Sequence, residues 1–102
     1  MINLVECNKY ADMVDDVGLM AKQLKTKYND AAYYMSKNTS SDAESFSAKF
    51  AEEEQKIEYI MQDLATIASV IRNKSSEIYY QELEEKRRLE AEKAEAEANT
   101  MQ

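Results

Sequence analysis

The chain has no proline, no histidine and no tryptophan, and only one glycine (Gly18) and one cysteine (Cys7) among 102 residues. Each absence excludes something. Without proline, and with a single glycine, little can interrupt a helix except a cluster of polar turn formers. Without histidine there is no Ser-His-Asp or Cys-His nucleophile, and no Glu-x-x-His ligand set of a di-iron bundle. One glycine cannot build a phosphate-cradling loop. One cysteine permits no internal disulfide, and Cys7 falls on an apolar stripe where a packed thiol is expected rather than a reactive one. No apolar run approaches the ~20 residues of a membrane span. The opening residues, MINLVECNKY, lack a basic start followed by an apolar stretch, so no secretory signal peptide is expected.

The charge balance narrows the partners. Twenty acidic residues against thirteen basic ones give a net charge of −7. Nucleic acid and anionic membrane surfaces would both repel such a chain. Glu52, Glu53 and Glu54 lack calcium-loop spacing and read as a solvated acidic face. The pairs Tyr33-Tyr34 and Tyr79-Tyr80 have too few basic neighbours to form a base-stacking platform. No cofactor, no metal and no enzyme activity are expected, and the length allows one domain.

What the chain does have is an apolar stripe with 3-4 spacing. It first reads Cys7, Tyr10, Val14, Val17, Ala21, Leu24, Tyr28, Ala31, Met35. It resumes as Phe46, Phe50, Ile57, Ile60, Leu64, Ile67, Ile71, Ile78, with Glu53 and Lys74 filling two positions. That spacing puts the named side chains on one face of each of two helices. Asn3-x-x-Glu6 predicts a capped start for helix 1 near residue 4, with its end near 36. The loop formers at 37–41 predict the turn, and Ser41-x-x-Glu44 is a capping box that starts helix 2 near 42, running to about 96.

The fold class is therefore all-α: an antiparallel helix-turn-helix hairpin. At ~1.5 Å per residue, helix 1 should be roughly 50 Å long and helix 2 roughly 80 Å. The end of helix 2, from about residue 79, is expected to overhang its partner. There Glu82/Lys86 and Glu84/Arg88 are i,i+4 pairs on a solvated helix.

The stripe is wider than a two-helix seam needs. Met13, Met20 and Tyr34 flank it on one side of helix 1, and Ala11, Gly18 and Ala32 on the other, where small residues would admit a close neighbour. Met61, Ala68 and Val70 widen it on helix 2. The expectation is a four-helix or larger bundle with another helical protein. The candidate partner-binding residues are Met13, Val17, Met20, Leu24 and Tyr28 on helix 1. On helix 2 they are Ile57, Ile60, Met61, Leu64, Ile67, Ile71 and Ile78. Glu53 and Lys74 either snorkel to water near the hairpin ends or select a partner by charge.

The hairpin, its acidity, the aromatics after the turn (Phe46, Phe50), the segment Asp63-Leu-Ala-Thr-Ile-Ala-Ser-Val-Ile71 and the segment Tyr80-Gln81-Glu82-Leu83-Glu84 together resemble the WXG family of small Esx-type proteins of bacterial type VII secretion. The family's Trp-x-Gly turn is missing; the turn here reads Asn-Thr-Ser-Ser-Asp-Ala. The chain looks more like the divergent helical companions of LXG-type toxins. The resemblance implies a targeting partner of a toxin's helical N-terminal domain, as a heterodimer or heterotrimer in contact with the secretion apparatus. It implies residence in the bacterial cytoplasm before export. It also implies a Tyr-x-x-x-acid export signal, which falls on Tyr80 and Glu84. Phe50/Glu54 and Tyr59/Asp63 match that spacing too, and only position distinguishes Tyr80. Two other readings stay open. One is a homodimeric coiled-coil adaptor with no secretion role. The other is a holdase using Met13, Met20 and Met61 as an adaptable apolar face.

Overall fold

Two helices form the molecule: α1, Leu4–Ser36, and α2, Ser41–Thr100. The computed structural model describes residues 1–37 and 41–100, with the backbone alone at 41–43. The centre of the turn expected at 37–41, residues 38–40, and the Ser41 side chain of the expected capping box lie outside the described residues. The helices run antiparallel, as the cross-links Ile2–Glu82, Asp12–Arg72 and Lys25–Glu58 show: numbers rise along one helix as they fall along the other. The hairpin measures 94 × 16 × 10 Å, and α2 is much the longer helix.

The start of α1 follows from local chemistry. Asn3 has extended backbone (φ −89°, ψ 98°), and its Oδ1 accepts the Glu6 N–H at 3.0 Å. Glu6 turns its carboxylate up the helix, where it accepts the Tyr10 hydroxyl at 3.0 Å. That bond raises the Tyr10 pKa, because ionising the phenol would set two anions side by side. At the other end the described residues close at the C-cap, Lys37. Lys37 is right-handed, its N–H donates to Tyr34 O at 3.3 Å, and its ammonium lies 4.5 Å from the Tyr33 ring centre.

The seam between the helices is rotated from the expected stripe. On α1 the residues turned toward α2 are Leu4, Cys7, Ala11, Val14, Gly18, Ala21, Lys25, Tyr28, Ala32 and Met35. On α2 they are Ser47, Phe50, Glu54, Ile57, Met61, Leu64, Ala68, Ile71 and Ser75, followed by Tyr79 and Glu82. Half of each expected stripe is there. Tyr10, Val17 and Leu24, and on α2 Phe46, Ile60 and Ile67, are instead exposed. With side chains ~100° apart per residue, the seam has shifted by roughly 60° around each helix. The shift brings small residues inward. Ala11 (0% exposed) and Ala68 (1%) are the best buried, so the helices approach where side chains are shortest. Tyr28 and Phe50 pack at 5.8 Å between ring centres. Ser75 is buried, and its hydroxyl donates back to Ile71 O, which satisfies it within its own helix.

Gly18 departs from the expectation of a close approach. A Cβ there would meet nothing within 4 Å. Gly18 therefore marks a notch in the seam, bordered by Val14, Asp15, Met61, Leu64 and Ala65.

The core is thin. Among the described residues the buried apolar side chains are Ala11, Ile57 and Ala68. The accessible surface is 8077 Å², against about 5,900 Å² for a compact protein of this mass. The radius of gyration is 25.7 Å, where a globular chain of this length has about 13 Å.

Two substitutions check this seam by urea unfolding. Gly18→Ala fits without rearrangement and should stabilise the hairpin by about 1 kcal/mol through helix propensity. Ile57→Ala, at a side chain only 7% exposed, should destabilise it by about 2 kcal/mol, the low end for a core truncation because the seam lies close to water.

Candidate partner-binding face

The seam leaves each helix two flanks, and they differ in chemistry. On one side of the hairpin polar groups bridge the helices. Lys25 Nζ lies 2.7 Å from Glu58 Oε2, and Arg72 Nη2 lies 2.7 Å from Asp12 and 2.5 Å from Asp15. The Asn29 amide, with its nitrogen toward α2, donates to both Glu54 oxygens at 2.7 and 3.1 Å. The hydrogen bond and charge of Glu58 raise the Lys25 pKa, and the Asp15 and Asp12 hydrogen bonds raise that of Arg72. This flank is closed by polar contacts over roughly five turns of each helix.

The opposite flank is apolar and open. Tyr10, Val17 and Leu24 line it from α1, and Phe46, Ile60 and Ile67 from α2, each about half exposed (47–53%). Because the polar bridges mark one side of an antiparallel pair, these six lie together on the other. At the level set by Lys25–Glu58 and Ile2–Glu82, Val17 lies beside Ile67, and Leu24 beside Ile60. Met13 and Met20 on α1 and Val70 on α2 extend the face outward, all more than half exposed. Glu53 and Lys74 occupy this open flank rather than the seam. Lys56 and Lys49 hold the Glu53 carboxyl below the usual carboxylate range, so it is ionised at neutral pH.

The residues expected to bind a partner thus divide. Met13, Val17, Met20, Leu24, Ile60 and Ile67 lie on the open face. Tyr28, Ile57, Met61, Leu64 and Ile71 are occupied in the seam of the hairpin itself, and Ile78 lies at the seam's end, 39% exposed. Tyr10, Phe46 and Val70 belong to the face although partner binding was not expected of them. The signal for this split is the row of small or polar residues at seven-residue spacing, Ala11, Gly18, Lys25 and Ala32, which marks the side of α1 that turns inward.

Ile2 N–H donates to Glu82 Oε2 at 2.6 Å, and Tyr79, Glu82 and Leu83 are half-buried. The residues preceding α1 continue along α2, and Met1 shares a shallow groove with Glu82, Glu85, Lys86 and Leu89. The part of α2 beyond these N-terminal residues begins near Glu84 and is exposed throughout its described length. Tyr80 is 62% exposed in the last paired turns, edge-on to Tyr79 at 5.4 Å, and Glu84 follows one turn later. Among the described residues no acidic or cysteine cluster is placed to hold a metal ion, and no helix is long and apolar enough to cross a membrane.

Comparison with protein-family models, curated proteins and solved structures finds no match for this chain. What is established is a small all-helical hairpin with exposed apolar side chains that fit a protein partner.

The polar flank contributes stability that depends on charge. Arg72→Gln should lower the melting temperature at low ionic strength, and the difference should shrink at about 1 M salt, where the screening length is about 3 Å. The contribution of Lys25 should persist to its ordinary titration range and vanish as pH climbs through its raised folded value.

Proposed function

We propose that this protein is a non-enzymatic partner protein that docks another helical protein on its open flank. The observation that carries this reading is the asymmetry of the two flanks: one bridged by ion pairs, the other lined along its length by half-exposed Val, Leu, Ile, Tyr and Phe. Contiguous apolar patches of that kind mark protein interfaces. At ~25 cal/mol per Å², covering even a few hundred Å² of it is worth several kcal/mol. A helix or helical hairpin laid along the groove would complete a bundle.

Within that reading, the role is that of a type VII secretion companion: the hairpin binds the helical N-terminal domain of a toxin of LXG type, and the end of α2 presents an export signal. Support comes from the sequence resemblance, from the hairpin form, and from the exposure of Tyr80 and Glu84 beyond the docking face.

Co-expression with neighbouring reading frames followed by affinity capture tests the docking. Val17→Asp with Ile67→Asp should abolish capture of the helical partner while circular dichroism remains helical; unchanged capture would remove the open flank as the docking site. Tyr80→Ala should abolish export of the complex and leave its assembly intact, and export at the wild-type level would remove the secretion role.

A further inference from the structure

We infer that the hairpin has a second seam, reached when the two helices turn against each other by roughly 60° like meshed gears, and that this seam buries the open apolar row inside the hairpin. It is a property of the free chain, beyond the reading of that row as a docking surface. Each helix carries a middle row that both seams share. On α1 it is Val14, Ala21 and Tyr28, and on α2 it is Ile57, Leu64 and Ile71. In the structure the middle rows pack together with the rows on one side of them, Ala11 and Gly18 on α1 and Met61 and Ala68 on α2. The rows on their other side, Val17 and Leu24 with Ile60 and Ile67, are left about half exposed. Turning each helix by one row exchanges the two side rows and keeps the middle ones inside. Helices mesh by rows of side chains, so the two packings are discrete.

The register permits the exchange. The cross-links Ile2–Glu82, Asp12–Arg72 and Lys25–Glu58 put Val17 level with Ile67 and Leu24 level with Ile60. Turning about the helix axes changes no level, so these four side chains meet across the second seam without either helix sliding. The charges on the same row, Glu53 and Lys74, lie toward its ends. Their ion pairs with Lys49, Lys56 and Glu77 are all within α2, so they turn with the helix and are kept.

Opposing effects bring the two seams close in free energy. The observed seam is incompletely filled: a notch of about 200 Å³ stays open at Gly18, where a Cβ would meet nothing within 4 Å. In the second seam Gly18 turns toward water, and the unfilled space no longer forfeits packing contacts. The burial of Ala11 and Ala68 is exchanged for that of larger aliphatic groups, and hydrophobic stabilisation grows with apolar area. Against the exchange stand the polar bridges. Lys25 with Glu58, and Arg72 with Asp12 and Asp15, hold only while their flank is turned inward. The turn carries the two ends of each bridge outward on separate helices and parts them. The bridges therefore latch the observed seam, and because exposed ion pairs are individually weak the latch yields to small changes.

Electron paramagnetic resonance distances in the full chain, carrying Cys7→Ser, test this. One pair of spin labels, at Met13→Cys and Val70→Cys, spans the open flank; another, at Lys22→Cys and Ala65→Cys, spans the polar flank. All four positions are exposed, and none enters either seam. Removing the latch with Arg72→Gln and Lys25→Gln should shorten the open-flank distance and lengthen the polar-flank one, each by on the order of 10 Å, about a helix diameter. Gly18→Leu, which fills the notch of the observed seam, should reverse both shifts. Circular dichroism confirms that each variant remains helical. Unchanged distances overturn the second seam; so does a lengthening of both, which reports parting of the helices, and so do shifts that Gly18→Leu leaves in place. Unchanged distances, with partner capture abolished by Val17→Asp and Ile67→Asp, would overturn the second seam and keep the docking reading. The expected shifts, with capture unchanged by those two substitutions, would keep the second seam and remove the docking reading.

Discussion

Two helices can bury only the strip of each that faces the other. That strip is about two positions in seven, and a third layer is needed to enclose anything more. This chain meets the limit by facing its small residues inward. Ala11 and Ala68 are covered completely, while most longer apolar side chains are half-buried at best. Choosing small residues for the seam lets the backbones approach but leaves most of the larger aliphatic groups pointing elsewhere. The thin core and the large exposed area are two results of the same choice.

The two flanks then divide the labour. Lys25, Glu58, Arg72, Asp12 and Asp15 bridge one side and set the register of the pair. Ion pairs so exposed add little stability, but they tie the two helices to each other in the observed register. Among the described residues the other flank carries no comparable bridge and keeps its aliphatic row free. A helix pair with apolar groups on both flanks would be sticky from either side; a polar flank leaves one direction of approach.

The hairpin and its polarity were legible in the residues, and the reason is local. Asn3 followed by Glu6 starts α1, the single run of Ser, Thr, Asn and Asp is the only break in helix-forming sequence, and no proline or second glycine competes. Which apolar row turns inward was not legible. On α1 the rows Tyr10-Val17-Leu24 and Ala11-Gly18-Ala32 both flank Cys7-Val14-Ala21-Tyr28, and hydrophobicity alone favours the larger side chains. Packing decided otherwise, through how closely the backbones could approach and through the ion pairs of Arg72 and Lys25. Those pairs join residues 33 to 60 apart in sequence, a relation that periodicity within one helix does not contain. The residues before α1 pair with α2 through the Ile2 backbone, and no side-chain pattern announces a backbone donor.

The unbroken course of α2 has a geometric consequence. Sixty residues without proline or glycine make one continuous helix, so the docking row and the exposed end share a single rotational phase. The compass bearing of Tyr80 relative to Ile67 is set by the thirteen residue steps from one to the other, each turning the helix by about 100°. One residue inserted after Lys74 would swing the distal end by more than a quarter turn and leave the docking row as it is. α2 thus acts as an indexed shaft, in which the spacing of residues encodes direction as well as distance.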